Sequence, residues 1–303
     1  MVAPNASGAA SEEGAMSTAD LRQPDPSTIV ERILAWAGKE DAIRAVLLMG
    51  SRVRDVSVDT LADLDVGLFA IDFAPFLNDD TWMSQIAPVW VCSPYQMFLQ
   101  DIVVPTRLVI YEGGNKVDYS FWSPASVSQL ADARYFDTGY RILLDKDGLL
   151  QALGEPSFQP AIPPKPTEHE FVRLINEYWF EAYHVAKYLK RDDLWLVKFR
   201  DFGSLKVYLL TLMEWYMLAK HGWNYDVQWD GKQIKQWLDP AVYARLQETF
   251  AHFDARDSWA KFIANNELFQ ELSARTAQIL GYAYPADVAT NLERYILGLR
   301  ADH

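Results

Sequence analysis

The sequence predicts an α+β chain in two parts, a mixed sheet with flanking helices followed by an all-α helical bundle. Three observations predict it. Short apolar runs at 43–49 (IRAVLLM), 64–70 (LDVGLFA) and 106–122 have the length and residue types of strands. The stretch 154–166 (GEPSFQPAIPPKP) is too proline-dense for regular structure and marks a boundary. From residue 168 onward the apolar spacing changes from two to 3.6. The expected limits are a disordered tail over 1–27, a first domain over 28–153, a linker over 154–166 and a helical domain over 167–300.

In chain order, residues 1–27 lack both the basic start and the apolar run of a signal peptide. A first helix is signalled at Ser27-Thr28, with Glu31 completing a capping box before ILAWA. The strands 43–49 and 64–70 follow, joined by a polar connection. Two further runs, TRLVIYE (106–112) and KVDYSFW (116–122), flank Gly113-Gly114-Asn115 and read as a β-hairpin. A small α/β element around 140–150 precedes the linker, and DKDG at 145–148 reads as a tight turn, not a calcium loop. Past the linker, Phe171, Leu174, Ile175, Tyr178, Ala182, Val185, Ala186 and Leu189 form one stripe of a helix over 168–190. A second helix is expected over 193–220, its Leu209, Leu212, Met213 and Tyr216 packing on the first. Shorter helices are expected near 231–238, 240–252, 256–280 and 286–300.

Composition narrows the partners. Among 303 residues, half are hydrophobic and 14% aromatic, enough for two cores. Asp plus Glu number 41 against 28 Lys plus Arg, a formal charge of -13, which argues against nucleic acid and suits a small cationic partner. Cys92 is the single cysteine, which excludes an intrachain disulfide or a cysteine-rich zinc site and makes the cytoplasm the expected location. No stretch approaches the ~20 apolar residues of a membrane span. The five histidines show no metal-ligand spacing.

The chemistry gathers around VLLMGSRVRDVSVDTLADLDVGLFA. Gly50 and Ser51 turn the chain after an apolar strand, and Asp63 and Asp65 follow two apart. Successive strand side chains alternate between faces, so both aspartates project one way while Leu64 and Val66 pack inward. Crowded carboxylates raise a pKa or recruit a cation, and hard oxygen ligands suit Mg2+. On the second hairpin arm Lys116, Asp118 and Ser120 share a face, making Asp118 a third strand carboxylate.

This strand, Gly-Ser turn, Asp-x-Asp and third Asp resemble the nucleotidyltransferase domain shared with DNA polymerase beta. The resemblance sharpens over MGSR with DLDVGLF, GGNKVDYSF, TGYRILLDKDG, EFVRLINEYWFEAYHVAKYLKRDDLW, LLTLMEWYMLAKHG and GYAYP, which together look like aminoglycoside 6-adenylyltransferases from about residue 28 to 300. Two departures are visible: the loop from Ser51 to Asp63 is about one residue short of the family's, and Met49 stands where the family usually has Asn.

The resemblance implies transfer of AMP from Mg·ATP to the 6-hydroxyl of streptomycin, with pyrophosphate released and antibiotic resistance conferred. It implies that Gly50 and Ser51 cradle phosphates and that Asp63, Asp65 and Asp118 hold two Mg2+ ions. Asp118 would also act as general base. Arg52, Lys187 and Lys198 are candidate phosphate ligands; each also reads as a surface cation. Glu177, Trp179, Glu181, Asp201, Glu214 and Trp215 are candidates for the aminoglycoside's cationic groups. Aromatic residues at helical spacing more often belong to a core. The expected assembly is a monomer or homodimer. Competing readings keep the nucleotidyl chemistry on another amine-bearing or protein hydroxyl, or make the chain a catalytically silent nucleotide-binding protein.

Overall fold

In the computed structural model, which describes residues 25–54, 61–99 and 102–301, the chain divides into two units, Met1–Gln159 and Pro160–His303. The N-terminal tail over 1–24 and loop residues 55–60 lie outside the described residues. Among the described residues no helix is long and apolar enough to cross a membrane.

The first unit opens with α1 (Pro26–Lys39), whose cap is Asp25, accepting the Ser27 N–H at 2.9 Å. The expected Thr28–Glu31 capping box is therefore not the helix start. Pro26, with no N–H and a φ already suited to the first turn, lets the helix begin upstream. Ile29, Ile33, Trp36 and Ala37 bury one stripe of α1 on the sheet.

The strands are β1 (Ile43–Met49), β2 (Leu64–Ala70), β3 (Val89–Leu99), β4 (Ile102–Tyr111), β5 (Lys116–Trp122) and β6 (Tyr140–Asp145). Between β2 and β3 lies α2 (Ala74–Asn78), and between β5 and β6 lies α3 (Val127–Asp132). The sheet order is β3-β4-β5-β2-β1-β6, parallel only between β2 and β5. The 43–49 and 64–70 strands and the hairpin around Gly113-Gly114 form where the sequence places them. β3 does not announce itself in the sequence. This edge strand, with Pro94 in it, exposes Trp90, Val91, Tyr95 and Phe98 on both faces, so it lacks a one-sided alternation.

Alternation divides the sheet's two faces. Val46, Leu48, Leu64, Val66, Leu68, Val117, Tyr119 and Phe121 pack with α1 and α2 on one face. Ala45, Leu47, Phe69 and Trp122 pack with Val127 and Leu130 of α3 on the other. By the same period of two, Asp65 and Asp118 belong to the second face.

The second unit is helical. It comprises α4 (Glu168–Lys190), α5 (Leu194–Arg200), α6 (Lys206–Lys220), α7 (Ile234–Trp237), α8 (Pro240–Gln247), α9 (Ala255–Leu280) and α10 (Ala286–Ala301). A Thr167–Glu170 capping box starts α4, and its predicted stripe is buried throughout. Tyr178 stacks on Phe269 of α9 at 3.5 Å between ring centroids. The helix expected over 193–220 is interrupted by a π turn at Asp201–Leu205, which widens the backbone between α5 and α6.

Candidate functional site

The site is built at one end of the sheet's inner strands, at the corner formed where β1 ends and β2 and β5 begin. Met49 pairs with Asp65, and Asp65 with Asp118, so backbone register alone sets two carboxylates side by side on adjacent strands. Asp63 stands just before β2, which starts at Leu64. Gly50 follows β1 at φ +75° and opens the 3-10 turn Gly50–Val53, which carries Ser51 and Arg52. A Cβ at Gly50 would lie 1.9 Å from Asp65 Oδ2. Glycine is thus demanded twice, by the backbone and by the carboxylate pressed against it.

Arg52 turns inward. Its Nε donates to the carbonyl of Ala62 at 2.9 Å and to that of Asp63 at 3.2 Å. The guanidinium thereby ties the turn to the chain entering the Asp-x-Asp strand.

Lys116, two residues before Asp118 on the same face, donates to Asp63 Oδ2 at 2.7 Å and to Asp118 Oδ2 at 2.8 Å. Burial opposes its charge, but the hydrogen bonds to Asp118 and Asp63 outweigh this and hold the ammonium pKa above the ordinary lysine value. Asp118 Oδ1 is buried without a hydrogen-bond partner. Such an acceptor fits a cation, so the residues present suit Mg2+. Among the described residues no three His, Cys, Asp or Glu side chains are placed so that they could hold a metal ion as they stand. At this corner the lysine lies between two of the three acids. The sequence showed Lys116 on the acidic face, yet its role lay outside what a motif can show.

In the second unit, Asn176, Glu177, Phe180, Glu181 and Tyr208 line an open cavity of about 290 Å3. Glu177 has one long pairing, 3.7 Å to Arg173, whereas Glu181 is held by Arg200 at 2.7 Å. Burial first, then Glu177 and Glu181, push the Tyr208 phenol pKa up. Phe180 and Tyr208 were not singled out from sequence, although Phe180 lies off the core stripe of α4 and is exposed.

The remaining helical candidates divide. Trp179 is 0% exposed and cannot touch an acceptor. It continues the line Ile175, Trp179, Ala182, Ala186, all buried along α4, so helical spacing puts it in the core. Trp215 is half-buried against the same core, its ring 6.2 Å from Phe171. Asp201 is engaged within the π turn by Lys206 at 2.8 Å. Lys198 donates to the Ala251 carbonyl at 3.1 Å and to Ser258 Oγ at 2.8 Å, and burial lowers its pKa. Lys187 lies 5.0 Å from the Tyr183 ring centre. Glu214 is partly buried, and burial, then Asp230, raise its pKa to about 7.

Comparison with known proteins gives a consistent picture. The model of the family described as streptomycin adenylyltransferase matches residues 25–299. An aminoglycoside 6-adenylyltransferase of Bacillus subtilis (strain 168) is 24% identical over 279 residues, covering 89% of this chain and 96% of that protein. One from Staphylococcus aureus is 25% identical over 276 residues, covering 88% and 96%. The crystal structure of an aminoglycoside 6-adenyltransferase from Bacillus subtilis superimposes with a TM-score of 0.46 at 20% identity, covering 90% of this chain and 97% of that one.

Proposed function

The chain belongs to the streptomycin adenylyltransferase family, and from that premise we propose that it transfers AMP from Mg·ATP to an aminoglycoside hydroxyl, the 6-hydroxyl of streptomycin, releasing pyrophosphate. The observation that carries this reading is the corner where Asp65 and Asp118 stand in register, with Asp63 beside them and the Gly50–Val53 turn against Asp65.

The Ser51 hydroxyl and the N–H groups of its turn are assigned to the terminal phosphates of ATP. Asp63, Asp65 and Asp118 are assigned to hold two Mg2+, which when bound supply positive charge to the attacking and leaving oxygens of an in-line displacement. Asp118 also accepts the proton of the attacking hydroxyl. A bond forms from that oxygen to the α-phosphorus as the bond to the β-phosphate bridging oxygen breaks, and pyrophosphate departs. Arg52 holds the approach to Asp63 in place, and Lys187 remains the proposed nucleotide lysine of the second unit. Glu177, with Phe180 and Tyr208, is assigned a guanidinium or ammonium group of the acceptor through charge-assisted and cation–π contact. The proposed setting is the cytoplasm, where ATP is at hand.

A pyrophosphate-release assay with ATP, Mg2+ and, in turn, streptomycin, spectinomycin and kanamycin tests the reading. Release dependent on streptomycin is expected. Release with a different acceptor alone replaces the acceptor assignment. ATP binding by calorimetry without release across the panel favours a silent nucleotide-binding protein.

A further inference from the structure

Two of the three carboxylates at the sheet corner, Asp63 and Asp118, share one lysine, which is part-buried and hydrogen-bonded to both. We infer that Lys116 is a resident counter-cation which a divalent ion displaces on binding, so that this side chain sets the metal affinity of the site and holds its acids together when no metal is bound. The inference rests on the proposed metal role of Asp63, Asp65 and Asp118.

Three features carry it. First, the Lys116 ammonium reaches carboxylates from two different chain segments, at 2.7 Å and 2.8 Å, and so spans the gap a bridging cation needs. Second, it satisfies only one oxygen of Asp118; the other is buried without a hydrogen-bond partner, so the site still offers an acceptor. Third, its side chain is 33% exposed and sits on a flexible four-carbon stem, so it can swing away without unmaking a core contact. A divalent ion and an ammonium in contact with the same two carboxylates repel one another, which makes the two occupants exclusive.

The test is a titration of the full chain with Mn2+, without nucleotide, following free Mn2+ by electron paramagnetic resonance in wild type and Lys116→Met. Removing two partly exposed ion pairs is expected to tighten Mn2+ binding about tenfold. The same variant should melt lower than wild type in EDTA and recover in excess Mg2+, because its carboxylates then repel one another without screening. Equal Mn2+ affinity and equal melting in EDTA overturn the inference and leave the metal reading standing. A wild type that binds no Mn2+ overturns both. If Lys116→Met does not fold, Lys116→Gln, which keeps a donor and drops the charge, takes the same titration, and unchanged affinity there is equally decisive.

Discussion

At the sheet corner of the first unit, Lys116 lies 2.7 Å from Asp63 and 2.8 Å from Asp118; in the second, Lys206, which opens α6 just after the π turn, lies 2.8 Å from Asp201 and 3.1 Å from Asn265. The bond lengths are alike and the surroundings are not. Lys206 is 8% exposed, packs 5.2 Å from the Phe250 ring centre, and donates to one carboxylate and one amide oxygen. Asn265 in turn donates to the Tyr178 hydroxyl, which donates to Asn266, so the chain of polar groups continues through the interior. Lys116 instead faces more acid than it neutralises and leaves Asp118 Oδ1 without a partner. A surplus of acceptors at an open strand end marks a place for a ligand; a balanced, buried pair marks architecture.

The sharpest way to break this contrast is Asp63→Asn. Removing a ligand charge from the corner is expected to lower kcat at least about 10^3-fold, the loss that follows from several kcal/mol of transition-state charge stabilisation. The melting temperature should move little, since Asp63 is a partly exposed group at a strand entrance. Pyrophosphate release beside thermal denaturation separates the two, and full turnover in the variant would reject the metal assignment.

Lys206→Met should show the reverse pattern. It strands Asp201 beside a buried amide, and breaking a buried pair in this way costs about 3 kcal/mol, read from denaturant unfolding. Mn2+ affinity at the sheet corner should stay as in wild type. Gly50→Ala falls between the two classes. The new Cβ meets Asp65 at a backbone φ of +75°, so a loss of about 2 kcal/mol is expected together with a drop in activity. A variant that unfolds with wild-type stability would show that Asp65 moves aside freely.

Period explains what the sequence made legible. The Asp63, Asp65 and Asp118 cluster could be read because a strand's alternation fixes which face a residue takes, and the β2–β5 register then brought two of the acids level. The α4 stripe is legible for the same reason at 3.6 residues per turn, and it is wide enough to take in Trp179, whose aromatic ring by itself suits an acceptor contact as well as a core. The rest depends on long-range contacts that no local pattern carries. Lys116 bridging to Asp63 spans 53 positions, and Arg52 spends its donors on main-chain carbonyls. The π turn widens one helical turn, and the Gly203 inside it is a signal that an unbroken helix also tolerates.

Glu214 sharpens the comparison from the opposite side, as a carboxyl crowded by burial and by Asp230. Its pKa rises from an ordinary 4.5 to about 7 in the folded chain. Between those values the folded state binds more protons than the unfolded one, so stability falls as pH climbs from about 4.5 to about 7 and is flat above. Because the group keeps appreciable solvent access, the size of this slope is discounted to the order of 1 kcal/mol. Glu214→Gln, which stays neutral throughout, should therefore match wild type near pH 4.5 and exceed it at pH 8 by that amount in urea unfolding. At the sheet corner the crowded acids share a lysine; at Glu214 the expected neutralising partner is a proton. Identical pH profiles for wild type and Glu214→Gln would remove that distinction.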